Sequence, residues 1–259
     1  MPVFDDPIRE KIFQFNMTHK PYHIEYGGDG SLLRGVSNSF PSTILIPIRN
    51  YGRCDAHKNL LNEVIDGWDS FKDNLKISKH NLLVCERCNS NGEVMFQEYE
   101  DKPRSIAEIT LRSEDPTEAI RFNVLVNDRP YLSNCIADAV IYSSEMGSHG
   151  YWKSVTRTIF RGKDNVGLGF IAPTYGINNL ILSAKDKIEI EFVRKCNLLI
   201  TAGKSIKKVS ISNTDYYNRF RLTSLGGKYE IKLAGYDIFC CYECRKNRNS
   251  TILNDMYFS

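Results

Sequence analysis

The sequence predicts a mainly β, α+β chain: an antiparallel β-sandwich or jelly-roll-like domain, preceded by an N-terminal part with one amphipathic helix and stapled by zinc. Three observations predict it. After residue 80 the hydrophobic period is two and stays so. Strand-like runs then recur about every ten residues between Gly, Asn, Asp or Ser clusters, the sandwich or barrel signature. Two Cys-x2-Cys pairs stand at the start and near the end of that region. Helix-length segments between the strands are missing, so no parallel sheet is expected and a doubly wound or P-loop scaffold is set aside.

In order along the chain, residues 5–16 suit a short helix, with Asp5 or Asp6 as N-cap and Pro7 at its first position. Tyr26-Gly27-Gly28-Asp29-Gly30-Ser31 reads as a loop or hairpin tip. Residues 43–48 form a buried strand whose Pro47 argues for an edge. Residues 57–76 carry the best helical pattern, with Leu60, Leu61, Val64, Ile65, Trp68, Phe71 and Leu75 on one stripe behind an Asp55 cap. Strands follow at 81–85, 93–99, 106–112, 119–126, 139–143, 152–160, 166–172, 179–183, 187–193, 197–201, 206–211, 217–224, 228–234 and 236–241. Ser224-Leu225-Gly226-Gly227-Lys228 is the turn of a hairpin. The organisation expected is a mixed segment over 1–78, a β-rich domain over 79–244 and a polar tail over 245–259.

With 42% hydrophobic and 25% charged residues in 259, the chain is an ordinary globular one, which excludes collagen, mucin and wholesale disorder. A core of that size needs no disulfides. The acidic N-terminus lacks a signal-peptide pattern and no apolar run reaches a membrane span, so a reducing, intracellular setting is expected, cytoplasmic or within a particle assembled there. Charge is uneven. Residues 1–150 hold 16 Lys+Arg against 22 Asp+Glu, and residues 194–248 hold 12 against 4. Such a two-ended chain suits nucleic acid, an acidic partner or head-to-tail self-association.

Cys85-Glu86-Arg87-Cys88 between two strands has the local form of a zinc knuckle, with turn amides available to the sulfurs. Cys241 and Cys244 would complete a four-thiolate site and clasp the two ends of the β domain. Cys54 and His57 are the competing partners, giving a local site of three thiolates and one imidazole. Neither set has the H-x-E pattern of a catalytic deaminase zinc, so the metal is read as structural. Cys135 and Cys196 read as core residues. Gly203-Lys204-Ser205 resembles the end of a phosphate loop, but Leu198 stands where its first glycine belongs.

The function expected is therefore a non-enzymatic structural or assembly protein, such as a virion component, with protein partners or self-association, no membrane and no evident small-molecule substrate. A nucleic-acid-binding role would use the basic segment, with Lys204, Lys207 and Lys208 on phosphates and Arg219 and Arg221 beside Tyr216, Tyr217 and Phe220. A metal-dependent nuclease would use Asp215, Glu230 and Lys232.

Overall fold

The computed structural model describes residues 6–27, 29–38, 42–48, 61, 64–73, 75, 77–89, 91–95, 102–212 and 218–234. The chain divides into two compact units: Met1–Gly35, Phe40–Lys79 and Ile231–Ser259 form the first, Val36–Ser39 and His80–Glu230 the second.

In the first unit, α1 (Pro7–Thr18) starts where its N-cap lies, with the Asp6 carboxylate accepting the Ile8 N–H at 2.9 Å and Pro7 in the first turn. It packs Ile12 and Phe15 onto β1 (Tyr22–Tyr26) and β2 (Ile44–Ile48), with Ile24, Ile44, Ile46 and Ile48 beneath. Leu61 and Val64 join this cluster, and Trp68, at the start of α3 (Trp68–Asp73), meets Phe15 edge-on at 4.8 Å between ring centroids. The helical stretch predicted over 57–76 is described from residue 61 and bends at Gly67.

β1 and β2 are parallel, in register from Tyr22–Ile44 to Tyr26–Ile48, and α2 (Asp29–Asn38) is the helix between them. This β-α-β unit corrects the expectation of an antiparallel jelly roll without parallel strands. The glycines concealed it, because Gly27 to Gly30 read as a turn and Gly35 weakens helix propensity. β2 is also not an edge, since its other side pairs with β14 (Arg219–Ala234). That ladder uses only Ile44 and Leu45, so the missing N–H of Pro47 costs nothing there. The free side of β1 is capped by Asn16, whose Oδ1 accepts the Ile24 N–H at 2.6 Å and whose Nδ2 donates to the Ile24 carbonyl.

The second unit begins within β3 (Ile77–Cys88), which pairs with β4 (Arg104–Ser105). It contains two layers of strands. One is a six-stranded antiparallel sheet in the order β10 (Leu180–Ser183), β9 (Asn165–Ile171), β8 (Ala139–Ser144), β5 (Glu108–Ser113), β12 (Cys196–Ala202) and β13 (Ser205–Ile211). The other runs from β14 through β11 (Ile188–Phe192) and β6 (Ile120–Val126) to β7 (Arg129–Ala137). Alternation along β6 and β11 sends Ile120, Phe122, Val124, Ile188, Ile190 and Phe192 into one core, where they meet Ile109, Leu111, Val140 and Leu168 of the facing sheet. Phe192 contacts Phe220 edge-on and Phe122 stacks on Phe170.

Two further expectations are corrected. Residues 152–160 are not a strand: a 3-10 turn (Gly147–His149) leads into α4 (Tyr151–Thr156), whose Trp152 covers β8 and β9. There is no hairpin at Gly226-Gly227, because β14 runs through it as one strand of 16 residues. Among the described residues no helix is long and apolar enough to cross a membrane.

Candidate functional site

The second unit carries a cleft of about 400 Å³ on the outer face of its six-stranded sheet. Strand alternation builds the floor. Ile109 and Leu111 of β5 point into the core, so Glu108, Thr110 and Arg112 point out, and Thr201 of β12 stands opposite Thr110 with the two hydroxyls hydrogen-bonded. Asp138, between β7 and β8, and Tyr151, at the start of α4, supply further walls. The titratable lining is acidic, with Glu108, Asp115, Glu118 and Asp138 against Arg112 and the Tyr151 phenol.

A riveted turn sets the height of the wall above Glu108. The Ser144 hydroxyl donates to the Ile106 carbonyl at 2.5 Å, and the Ser144 N–H donates to the Ala107 carbonyl at 2.9 Å. The Ser148 hydroxyl reaches the Phe160 carbonyl at 3.0 Å. Gly147 is required there, since a Cβ would fall 2.1 Å from the Ala107 carbonyl oxygen. Gly150 is the nearest part of that turn to the carboxyl, a Cβ there falling 4.0 Å from Glu108 Oε2, and Glu108 lines the cleft. Burial pushes the Glu108 carboxyl up to about 7, which lets it donate or accept a hydrogen bond near neutrality.

The first unit has a second feature. β1 is followed by Gly27, buried and at φ +149°, a conformation that favours glycine, and α2 begins two residues later at Asp29. The Gly27 N–H donates to the Ile48 carbonyl at 2.8 Å, which ties the end of β1 to β2.

The residues singled out from the sequence fall elsewhere. Cys85 and Cys88 are both buried on β3, but three residues apart on a strand they leave on opposite faces. Cys85 lies in the core, where burial pushes its thiol well up; Cys88 is pushed up to about 11, by burial first and then by Glu189, whose Oε1 is 3.9 Å from its sulfur. The turn amides of Asn91 and Glu93 donate to Asn89 Oδ1 at 3.0 and 2.8 Å. Cys241, Cys244, Cys54 and His57 lie outside the described residues. Among the described residues no three His, Cys, Asp or Glu side chains gather as a metal site, and the expected partners of Cys85 and Cys88 lie outside those residues.

The basic set is divided between two sheets. Lys204, Lys207 and Lys208 belong to β13 and the turn before it, with Lys208 paired to Glu114. Arg219 and Arg221 are on β14 and hold carboxylates: Arg219 Nη2 is 2.8 Å from Glu191, and Arg221 Nη2 is 3.0 Å from Glu189, which is only 1% exposed. These arginines are engaged within the protein rather than displayed to phosphates. Of the nuclease set, Asp215 and the Glu230 side chain lie outside the described residues, and Lys232 is on β14.

No family model matches the sequence, and no curated protein is similar to it in sequence. Solved structures do match in fold. Yeast NADH kinase, solved with NADH, superposes with a TM-score of 0.66 at 16% identity over 95% of this chain and 69% of its own. An NAD kinase from Archaeoglobus fulgidus, solved with ATP, gives 0.62 at 16% over 89% and 82%. This is a two-part α/β fold with mixed sheets, not a jelly roll. The expectation of a non-enzymatic assembly or virion protein without a small-molecule ligand rested on the jelly roll and is corrected with it, since both proteins of like fold are enzymes that bind nucleotides.

Proposed function

We propose that the chain is a kinase that moves the terminal phosphoryl group of a nucleoside triphosphate to a hydroxyl of a nicotinamide dinucleotide. The observation that carries this reading is the likeness of fold, over nearly the whole chain, to two kinases of that substrate class. The local geometry is of the right kind. Phosphoryl transfer asks a protein mainly to position two substrates and to balance charge. The cleft of the second unit suits a nucleoside, whose ribose hydroxyls and ring nitrogens find Glu108, Asp138, Thr110 and Thr201, and whose base finds the exposed ring of Tyr151. Four carboxyls around that cleft disfavour a phosphate inside it.

The test is direct. Purified protein is incubated with MgATP and either NAD or NADH, and the phosphorylated dinucleotide is measured by mass spectrometry. Product is expected with at least one of the two. Glu108→Gln, which can no longer accept at both oxygens, raises KM for the dinucleotide about tenfold, the scale of one hydrogen bond to a charged group. Folded protein that yields no product with either acceptor overturns the reading.

A further inference from the structure

We propose that Ala172 is a positioning residue for Asp138 at the rim of the cleft; this rests on the kinase reading above. Five non-glycine residues among the described ones have a positive φ. Asn127, Asp128 and Asn134 are of the types that tolerate it, and Arg157 closes α4, where a left-handed residue is common. Ala172, at φ +47° just after β9, has neither reason. Its Cβ crowds the following carbonyl in that conformation, and Pro173 after it narrows the choice of backbone further. The methyl group is exposed, so burial of the side chain does not offset the strain.

The hydrogen bonds on either side of Ala172 give the strain a purpose. Asp138 is the one residue between β7 and β8, and it carries the chain from one sheet to the other. Its N–H donates to the Ile171 carbonyl at 2.9 Å, and the Ile136 carbonyl accepts the Thr174 N–H, also at 2.9 Å. Ile171 and Thr174 thus grip the two ends of one three-residue corner, and the chain turns at Ala172 to make both bonds. Asp138 and Ile171 both line the cleft. The Asp138 side chain is exposed on its corner, so its place at the rim follows the backbone that carries it. Glycine at 172 would take the same φ without strain but would admit many other conformations as well. A residue with a Cβ has little freedom once it is in the left-handed region, so Ala172 gives up stability for a corner of one shape.

The experiment compares Ala172→Gly, Ala172→Asn and Asp138→Asn in the full chain, by fluorescence titration with NADH for Kd, by KM for the dinucleotide and for ATP, and by a thermal melt of every variant. Ala172→Gly relieves strain and is expected to keep Tm or raise it by roughly 2–4 °C. In the same variant Kd and KM for the dinucleotide are expected to rise about three- to tenfold, with KM for ATP unchanged. Asparagine keeps a Cβ and is at home in the left-handed region, so Ala172→Asn is expected to retain most of the affinity. Asp138→Asn is expected to raise Kd and KM about tenfold, and Ala172→Gly added to it to raise them no further. An Ala172→Gly variant with unchanged Kd and KM overturns the proposal and leaves the corner a merely structural one. Additive losses in the double variant overturn it as well, as does a loss in Ala172→Asn equal to that in Ala172→Gly. Wild-type protein that neither binds NADH nor phosphorylates either dinucleotide overturns the kinase reading first, and the proposal, which needs a ligand at Asp138, falls with it.

Discussion

Glu108 is the residue whose environment most distinguishes it from its chemical type. It lies on the outward face of β5, yet the turn locked over Ala107 buries it enough to push its carboxyl from the ordinary 4.5 to about 7. A carboxyl raised on folding contributes stability that is fully present below its unfolded value near 4.5 and is lost as pH rises through about 7. Stability of the second unit should therefore fall between those limits. Glu108→Gln removes the titration, so the variant matches wild type at about pH 5 and exceeds it by on the order of 2 kcal/mol at about pH 8. Urea midpoints at the two pH values measure this, and identical slopes for wild type and variant would exclude it. Residues such as this were not legible in the chain. Glu108, Asp138 and Tyr151 share a cleft only because β5 pairs with β8, Glu108 opposite Ser143, and no local spacing announces a contact made by sheet pairing.

Among elements, β14 holds the most consequential polar cluster. Its Arg219 and Arg221 converge with Lys187 on Glu189, and Arg221 also donates to the Gly92 carbonyl at 2.9 Å, tying the turn after β3 to the sheet. Removing one partner of a buried pair leaves the other charged and poorly solvated. Glu189→Ala is expected to cost about 3 kcal/mol in urea unfolding, and adding Arg221→Leu to recover part of it; a loss below about 1 kcal/mol for the single variant would show that solvent already screens the site. Legibility varied element by element for physical reasons. The cap and proline of α1 and the alternation of β6 and β11 were readable, because local chemistry and burial agree there. α2 and β14 were misread at glycines that serve close approach or simply continue a strand. α4 has the look of a strand because its tryptophan, valine and threonine favour one, whereas packing of Trp152 on Gly167 and Gly169 decides otherwise. β7 was missed because it is mostly exposed; Asn127 and Asp128, both at positive φ, form the tight turn that starts it.

For the whole molecule, the question is which class of ligand stabilises it. The basic excess over residues 194–248 suggests a polyanion when charges are counted along the chain. In the fold, three of those cations meet carboxylates from elsewhere in the chain, Arg219 with Glu191, Arg221 with Glu189 and Lys208 with Glu114, and the formal net charge of the whole chain is only +3. A window of sequence is thus a poor guide to a surface patch, whereas the cleft does not depend on net charge. A ligand that binds only the folded state at a hundred times its Kd adds about 2.7 kcal/mol. For a unit of this size that raises Tm by roughly 5–10 °C. NADH or ATP at saturating concentration should produce such a shift, largely preserved in moderate salt. A single-stranded oligonucleotide should produce little, and whatever it produces should vanish as salt rises. The reverse pattern, a salt-sensitive shift with the oligonucleotide and none with either nucleotide, would return the basic segment to the centre of the function and remove the kinase reading.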